Sequence, residues 1–157
     1  MPQERQRAID GGCDVLRRAH GLLMRIGEIL EKDPADPNFG APRLLVLRSH
    51  SAVLGATRLA MSGEAFEAQI VLRTAIEQAW YALHIAKDSA PPARANIWWD
   101  RNVSPQALQA CKDEFTAGNV RRTHEALDAA TAAAMHRLYE GAIDFGAHPN
   151  QAASPRP

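Results

Sequence analysis

Apolar side chains recur at steps of three and four along most of this chain, the spacing that places them on one face of a helix. The clearest run predicts a central helix over residues 64–87, with one apolar seam formed by Leu72, Ile76, Ala79 and Leu83. Similar runs predict four more helices, so that the set spans residues 5–32, 42–61, 64–87, 105–116 and 119–145. This pattern predicts an all-α fold, an up-and-down helical bundle of four to five helices.

Turn-forming residues separate these runs. Two prolines and a glycine predict a loop at residues 33–40, and Ser62 with Gly63 predicts a break between the second and third helices. Residues 89–103, which hold two prolines and two tryptophans, are expected to form an irregular connection. The polar, proline-containing end of the chain predicts a single bundle domain over residues 1–150 and a flexible C-terminal tail at 151–157.

Composition narrows the classes of function. The 157 residues include 18 Lys and Arg and 18 Asp and Glu, so the formal net charge is zero. This balance argues against a protein whose main task is to bind nucleic acid through its phosphates. No apolar run is long enough to span a membrane, so we expect no membrane partner. Nothing near the N-terminus resembles a secretory signal, which favours the cytoplasm, where Cys13 and Cys111 would be buried and inert thiols.

The common chemical motifs do not occur. A bundle metal site of the ferritin type needs Glu-x-x-His pairs, and a zinc hydrolase helix needs His-Glu-x-x-His; the sequence contains neither, so we expect no metal site. It also lacks the Gly-x-Ser-x-Gly turn of a serine nucleophile and any glycine-rich loop that could cradle a phosphate-bearing cofactor. No cofactor is therefore expected.

The central helix carries a stripe of polar and aromatic residues. Turning each residue by roughly 100° places six side chains within about 40° of one line, namely Phe66, Gln69, Arg73, Glu77, Trp80 and His84. Such a stripe could line a pocket between helices that grips an anion or a polar base. It could equally be a solvated face on which Arg73 and Glu77 form an ordinary ion pair. On the last helix, His124 lies on the apolar seam, which favours a hydrogen-bonded core or interface histidine.

Two segments resemble a known family. Residues 61–68 (MSGEAFEA) leading into 72–77 (LRTAIE), and later residues 139–150 ending in His148-Pro149-Asn150, resemble uncharacterised bacterial all-helical proteins. Those proteins are similar to the HEPN superfamily, helical bundles that often dimerise and that include metal-independent ribonucleases of toxin and defence systems beside non-catalytic members. The resemblance covers residues 44–150.

The resemblance implies where an active site would lie. HEPN nucleases use an Arg followed after four to six residues by His, the Arg stabilising phosphate charge and the His assisting proton transfer. Arg43 and His50 have this spacing and are the candidate catalytic pair, although they open the second helix and the family's motif lies on a late one. No arginine has the required spacing upstream of His148, since the nearest is Arg137.

Two functional hypotheses follow, and whether the chain is an enzyme stays open. The first is a HEPN-like binding or regulatory module without catalysis, with candidate binding residues Arg73, Glu77, His84, His148 and Asn150. The alternative is a metal-independent ribonuclease of a toxin or defence system. Two observations predict a homodimer: the resemblance itself, and apolar seams that are larger than one small bundle can bury. The other expected partner is RNA or a small anionic ligand.

Overall fold

The computed structural model describes residues 17–18, 20–22, 24–26, 28 and 37–144 of the chain. All the described residues up to 28 are helical, and within 37–144 the fold is an all-α bundle of six α-helices and one 3₁₀ helix, with no strand. The helices are α1 (Pro37–Met61), α2 (Ala65–Ala86), α3 (Ala93–Trp99), the 3₁₀ helix (Asp100–Asn102), α4 (Pro105–Glu114), α5 (Ala117–Glu125) and α6 (Ala129–Ala142). The predicted all-α class is confirmed.

Helices α1 and α2 have the most extensive contact of any two helices in the described part of the bundle. The chain reverses between them at Gly63, whose φ of +90° suits a residue without a side chain. Ser49 of α1 donates its hydroxyl hydrogen to the carbonyl oxygen of Ala75 at 2.8 Å, while Gly55 lies against Val71, so the two helices run antiparallel. The predicted break at Ser62 and Gly63 is confirmed.

The core lies where α2 meets the shorter helices. Its largest side chains are aromatic: Trp80 of α2, Trp98 of α3 and Phe115 after α4 are each about 5% exposed. Burying side chains of this size contributes on the order of 2 kcal/mol each. Helix α2 is thus the central helix, as its apolar seam predicts.

Helix α1 begins earlier than the sequence pattern indicates. Proline is favoured in the first turn of a helix, and the helix predicted over residues 42–61 begins with Pro42. The structure gives that position to Pro37 and leaves Pro42 inside the helix, at the cost of one backbone hydrogen bond. The predicted loop at 33–40 is therefore wrong for residues 37–40, and residues 33–36 lie outside the described ones.

The segment predicted to be irregular, 89–103, contains α3 and the 3₁₀ helix. Ala95 and Trp98, one turn apart, are both buried, and their packing holds a helix that local propensity does not predict. Helix α4 begins as predicted at Pro105, after Ser104 accepts a hydrogen bond from the N–H of Ala107 at 3.1 Å.

The prediction of one long last helix is wrong, because this part of the chain forms two helices, α5 and α6. Asp128 causes the break: its carboxylate accepts hydrogen bonds from the backbone N–H of Thr131 at 3.0 Å and from the hydroxyl of the same residue. An Asp in this position is a strong helix start. Within the described part of the chain, no helix has both the length and the apolar content needed to cross a bilayer.

Candidate functional site

The polar stripe of α2 faces other helices rather than solvent along its C-terminal half. Trp80 and His84 are 5% and 2% exposed, and both hydrogen-bond to residues of α5. Phe66, at the other end of the stripe, is half exposed. The solvated-face interpretation is therefore wrong for Trp80 and His84, and the stripe meets α5 and α6 in three separate clusters.

The first cluster joins α2 to α6 through Glu77. Its Oε1 accepts hydrogen bonds from Nε of Arg73 and from the hydroxyl of Tyr139, both at 2.9 Å. The guanidinium of Arg73 also lies 5.5 Å from the centre of the Tyr139 ring. Burial raises the pKa of Tyr139, and the bond to Glu77 raises it further, so the phenol stays protonated. Arg73 and Glu77 neutralise each other here.

The second cluster borders a cavity of about 450 Å³ between α1, α2, α5 and α6. Aliphatic and aromatic side chains make up most of its lining, and three polar side chains add to it. The lining residues are Ile26, Pro42, Val46, Ser49, Ala79, Trp80, Ala82, Leu83, Ala86, His124, Thr131 and Met135. A mainly apolar cavity of this size with few polar groups is typical of small-molecule sites.

His124 is one polar group of this cavity whose orientation is fixed by a hydrogen bond. Nε1 of Trp80 donates a hydrogen bond to Nδ1 of His124 at 3.2 Å. Because an accepting nitrogen carries no proton, the neutral imidazole holds its proton on Nε2. The predicted hydrogen bond of His124 is confirmed, although the side chain is half-buried and does not belong to the core. The contact with Trp80 leaves its Nε2–H available as a donor.

The third cluster surrounds a polar pocket of about 260 Å³ at the C-terminal end of α2. Four helices contribute to its lining, which consists of His84, Arg94, Glu114, Asn119, Arg122 and Thr123. His84 is its buried member. Its Nδ1 lies 2.7 Å from Oγ1 of Thr123, and its Nε2 lies 3.0 Å from Oε1 of Glu114.

Burial lowers the pKa of His84, the charge of Arg94 lowers it further, and the hydrogen bond to Glu114 opposes both effects. His84 is therefore neutral at pH 7. A carboxylate only accepts, so the single proton lies on Nε2 and points to Glu114, while the hydroxyl of Thr123 donates to Nδ1. This arrangement ties α2 to α4 and α5.

Arg94 and Asn119 complete the cluster, and both donate hydrogen bonds to backbone carbonyl oxygens at the ends of helices. Arg94 donates from Nε to Oε1 of Glu114 at 2.7 Å, and from Nη1 to the carbonyl oxygens of His84 and Lys87 at 2.9 and 3.2 Å. Nδ2 of Asn119 donates to the carbonyl oxygens of Asp113 and Glu114 at 3.1 and 2.9 Å. The last carbonyl groups of α2 and α4 thus have partners.

The structure brings together only some of the candidate binding residues. Arg73 and Glu77 are in contact, whereas His84 lies two helical turns further along α2, roughly 10 Å from Glu77 along the helix axis. His148 and Asn150 lie outside the described residues. Sequence reasoning missed Arg94, Glu114 and Thr123, because nothing local links residues that are 10 to 39 positions from His84.

The candidate catalytic pair lies on α1, and neither of its residues belongs to the lining of either pocket. Arg43 is half-buried, and His50, two helical turns later, is half-buried as well. Nε2 of His50 lies 3.0 Å from Nδ1 of His20, within hydrogen-bond distance. Cys111 is a buried thiol whose pKa is raised by burial, as predicted, and Cys13 is outside the described residues.

Among the described residues, no three His, Cys, Asp or Glu side chains come together in a way that could hold a metal ion. No protein-family model matches the chain, and no curated protein or solved structure matches it either.

Proposed function

We propose that this chain is a ligand-binding module, HEPN-like as its motifs suggest, that takes a small and mostly apolar molecule into the cavity between α1, α2, α5 and α6. The supporting observation is the cavity of about 450 Å³, whose mainly apolar lining includes His124, an imidazole that is oriented by its hydrogen bond from Trp80 and keeps Nε2–H as a donor. The ligand class is an apolar molecule with one hydrogen-bond acceptor, such as a carbonyl or carboxylate.

The volume sets the size of the ligand and a lower limit on affinity. At about 30 Å³ per water molecule, the cavity has room for about 15 waters, and hence for an organic molecule of similar atom count. Drug-sized ligands gain about −0.3 kcal/mol of binding free energy per non-hydrogen atom. For about 15 atoms the binding free energy is about −4.5 kcal/mol, which corresponds to a Kd of about 0.5 mM. A well-shaped ligand of this size would bind more tightly, because small ligands reach higher values per atom.

His124 would supply specificity more than affinity. Its donor orientation depends on Trp80, which is itself 5% exposed and packed against Tyr139 with ring centres 5.0 Å apart. A ligand acceptor that bonds Nε2–H adds about 1 kcal/mol, whereas an apolar ligand leaves that donor unsatisfied. The module would therefore prefer ketones or acids over hydrocarbons of equal size.

NMR titration with two matched probes tests the proposal. The probes are 4-phenylbutan-2-one, which has an acceptor, and butylbenzene, which has none. We expect the indole N–H signal of Trp80 to shift saturably with the ketone, in the millimolar range or below, and to respond more weakly to butylbenzene. The indole signals of Trp98 and Trp99, which do not line the cavity, should stay in place.

Two variants locate the binding. Ala79→Leu adds a side chain to the wall of the cavity and should weaken ketone binding at least tenfold, whereas Ala133→Leu, on an exposed position of α6, should not. His124→Phe should bring the affinity for the ketone down to that for butylbenzene. Equal shifts of all three indole signals, or equal effects of the two leucine variants, would rule out this cavity as the binding site.

A further inference from the structure

We propose that the polar pocket at the end of α2 is a second binding site, and that it takes a phosphate group, either inorganic phosphate or the phosphate of a small monoester. The pocket is distinct from the apolar cavity, since the two linings share no residue. Its walls carry two guanidinium groups, one carboxylate, a hydroxyl, a carboxamide and a buried imidazole.

Of the two arginines that line the pocket, Arg122 is the one that makes no ion pair with a carboxylate among the described residues. Its Nη2 donates to Oδ1 of Asn119, and Asn119 is fixed by its bonds to the last carbonyl groups of α4. This chain of contacts orients an exposed guanidinium toward the pocket it lines. A donor that is oriented in advance loses less conformational entropy when an anion binds.

Arg94 adds a second set of donors. Its Nε and Nη1 are bonded to Glu114 and to two carbonyl oxygens, an arrangement that leaves the two N–H groups of Nη2 for a ligand. Arginine pairs with phosphate through charge-assisted hydrogen bonds, which are about twice as strong as neutral ones. Both arginines line the same 260 Å³, so both can reach one anion.

The charges of the lining favour an anion. Glu114 offsets one of the two guanidinium charges, and His84 is neutral, so the side chains of the lining carry a net charge of +1; the nearby Asp88 carboxylate acts on His84 and Arg94 from outside the lining. Asp88 does not line the pocket; it accepts hydrogen bonds from the backbone N–H groups of Ala90 and Arg94 at 3.0 and 2.8 Å. The volume is that of about nine water molecules, enough for a phosphate with a short organic stem.

Two neighbouring arginines provide a matched test. Arg121 and Arg122 are both exposed on α5, but Arg121 pairs with Glu125 at 2.6 Å and does not line the pocket. Arg122→Gln and Arg121→Gln remove the same charge from adjacent positions. Inorganic phosphate is titrated into each protein at constant ionic strength, and the backbone N–H signals of Asn119 and Thr123 are followed by NMR.

We expect saturable shifts in the wild type and in Arg121→Gln, and at least tenfold weaker binding in Arg122→Gln. Thr123→Val, which keeps the shape of the side chain and removes its hydroxyl, tests a second residue of the lining and should also weaken binding. Shifts that do not saturate, equal losses in the two glutamine variants, or acetate binding as tight as phosphate would overturn the proposal. None of these results depends on a ligand in the apolar cavity.

Discussion

Replacing His84 by alanine should destabilise the protein more than the same change at any other histidine that the structure describes. His84 is 2% exposed and makes two hydrogen bonds, one with the hydroxyl of Thr123 and one with the carboxylate of Glu114. A neutral hydrogen bond contributes about 1 kcal/mol, and a bond to a charged group about 1.5–3 kcal/mol. The sum is a loss of about 2.5–4 kcal/mol, before any cost of the space left by the imidazole.

Urea unfolding measures this loss. With a typical slope of about 2 kcal/mol per M, a loss of 3 kcal/mol lowers the midpoint by about 1.5 M. His136→Ala is the matched control, because His136 lies at the surface with its Nε2 3.7 Å from Glu140, and it should cost about 0.5 kcal/mol or less. If both variants lose the same stability, the hydrogen-bonded role of His84 is refuted.

The same residue predicts a pH dependence. Burial lowers the pKa of His84, so between its ordinary value near 6.5 and the folded value the unfolded chain binds more protons than the folded one. Stability from this group is complete above about pH 6.5 and is lost as the pH falls toward the folded pKa. We expect the wild type to lose more stability than His84→Ala between pH 7.5 and pH 5. An identical loss in both would contradict the assignment.

Two further predictions concern catalysis and assembly. We expect total cellular RNA to stay intact with the purified protein in excess chelator, because Nε2 of His50 is already paired with His20; cleavage that an Arg43→Ala, His50→Ala double variant abolishes would establish the ribonuclease alternative instead. We propose a homodimer through α1, where Leu47 and Leu54, two helical turns apart, are 48% and 39% exposed. Sedimentation should give twice 17.2 kDa, and Leu47→Asp with Leu54→Asp should give 17.2 kDa; a wild-type monomer would rule this out.

The fold was predictable wherever it depends on neighbours in sequence. The apolar seam of α2, the break at Gly63 and the start of α4 at Pro105 are local signals, and the structure confirms each of them. Helix α3 was not predictable in this way, because it depends on the burial of Trp98 against distant residues. The division between α5 and α6 did have a local signal, in Asp128 and its partner Thr131, but the continuous apolar spacing across that point outweighed it.

The sites, like the fold, were predictable only where they depend on residues close together in sequence. The stripe on α2 was visible in the sequence because its members share one helix face, but their partners Thr123, His124 and Tyr139 were not. Those partners decide the chemistry. Glu77 and Arg73 cancel each other's charge beside Tyr139, whereas the third cluster carries an arginine that the lining carboxylate does not offset. An anion should therefore prefer the end of α2 near His84 to its middle, although the sequence alone favoured the pair at Arg73 and Glu77.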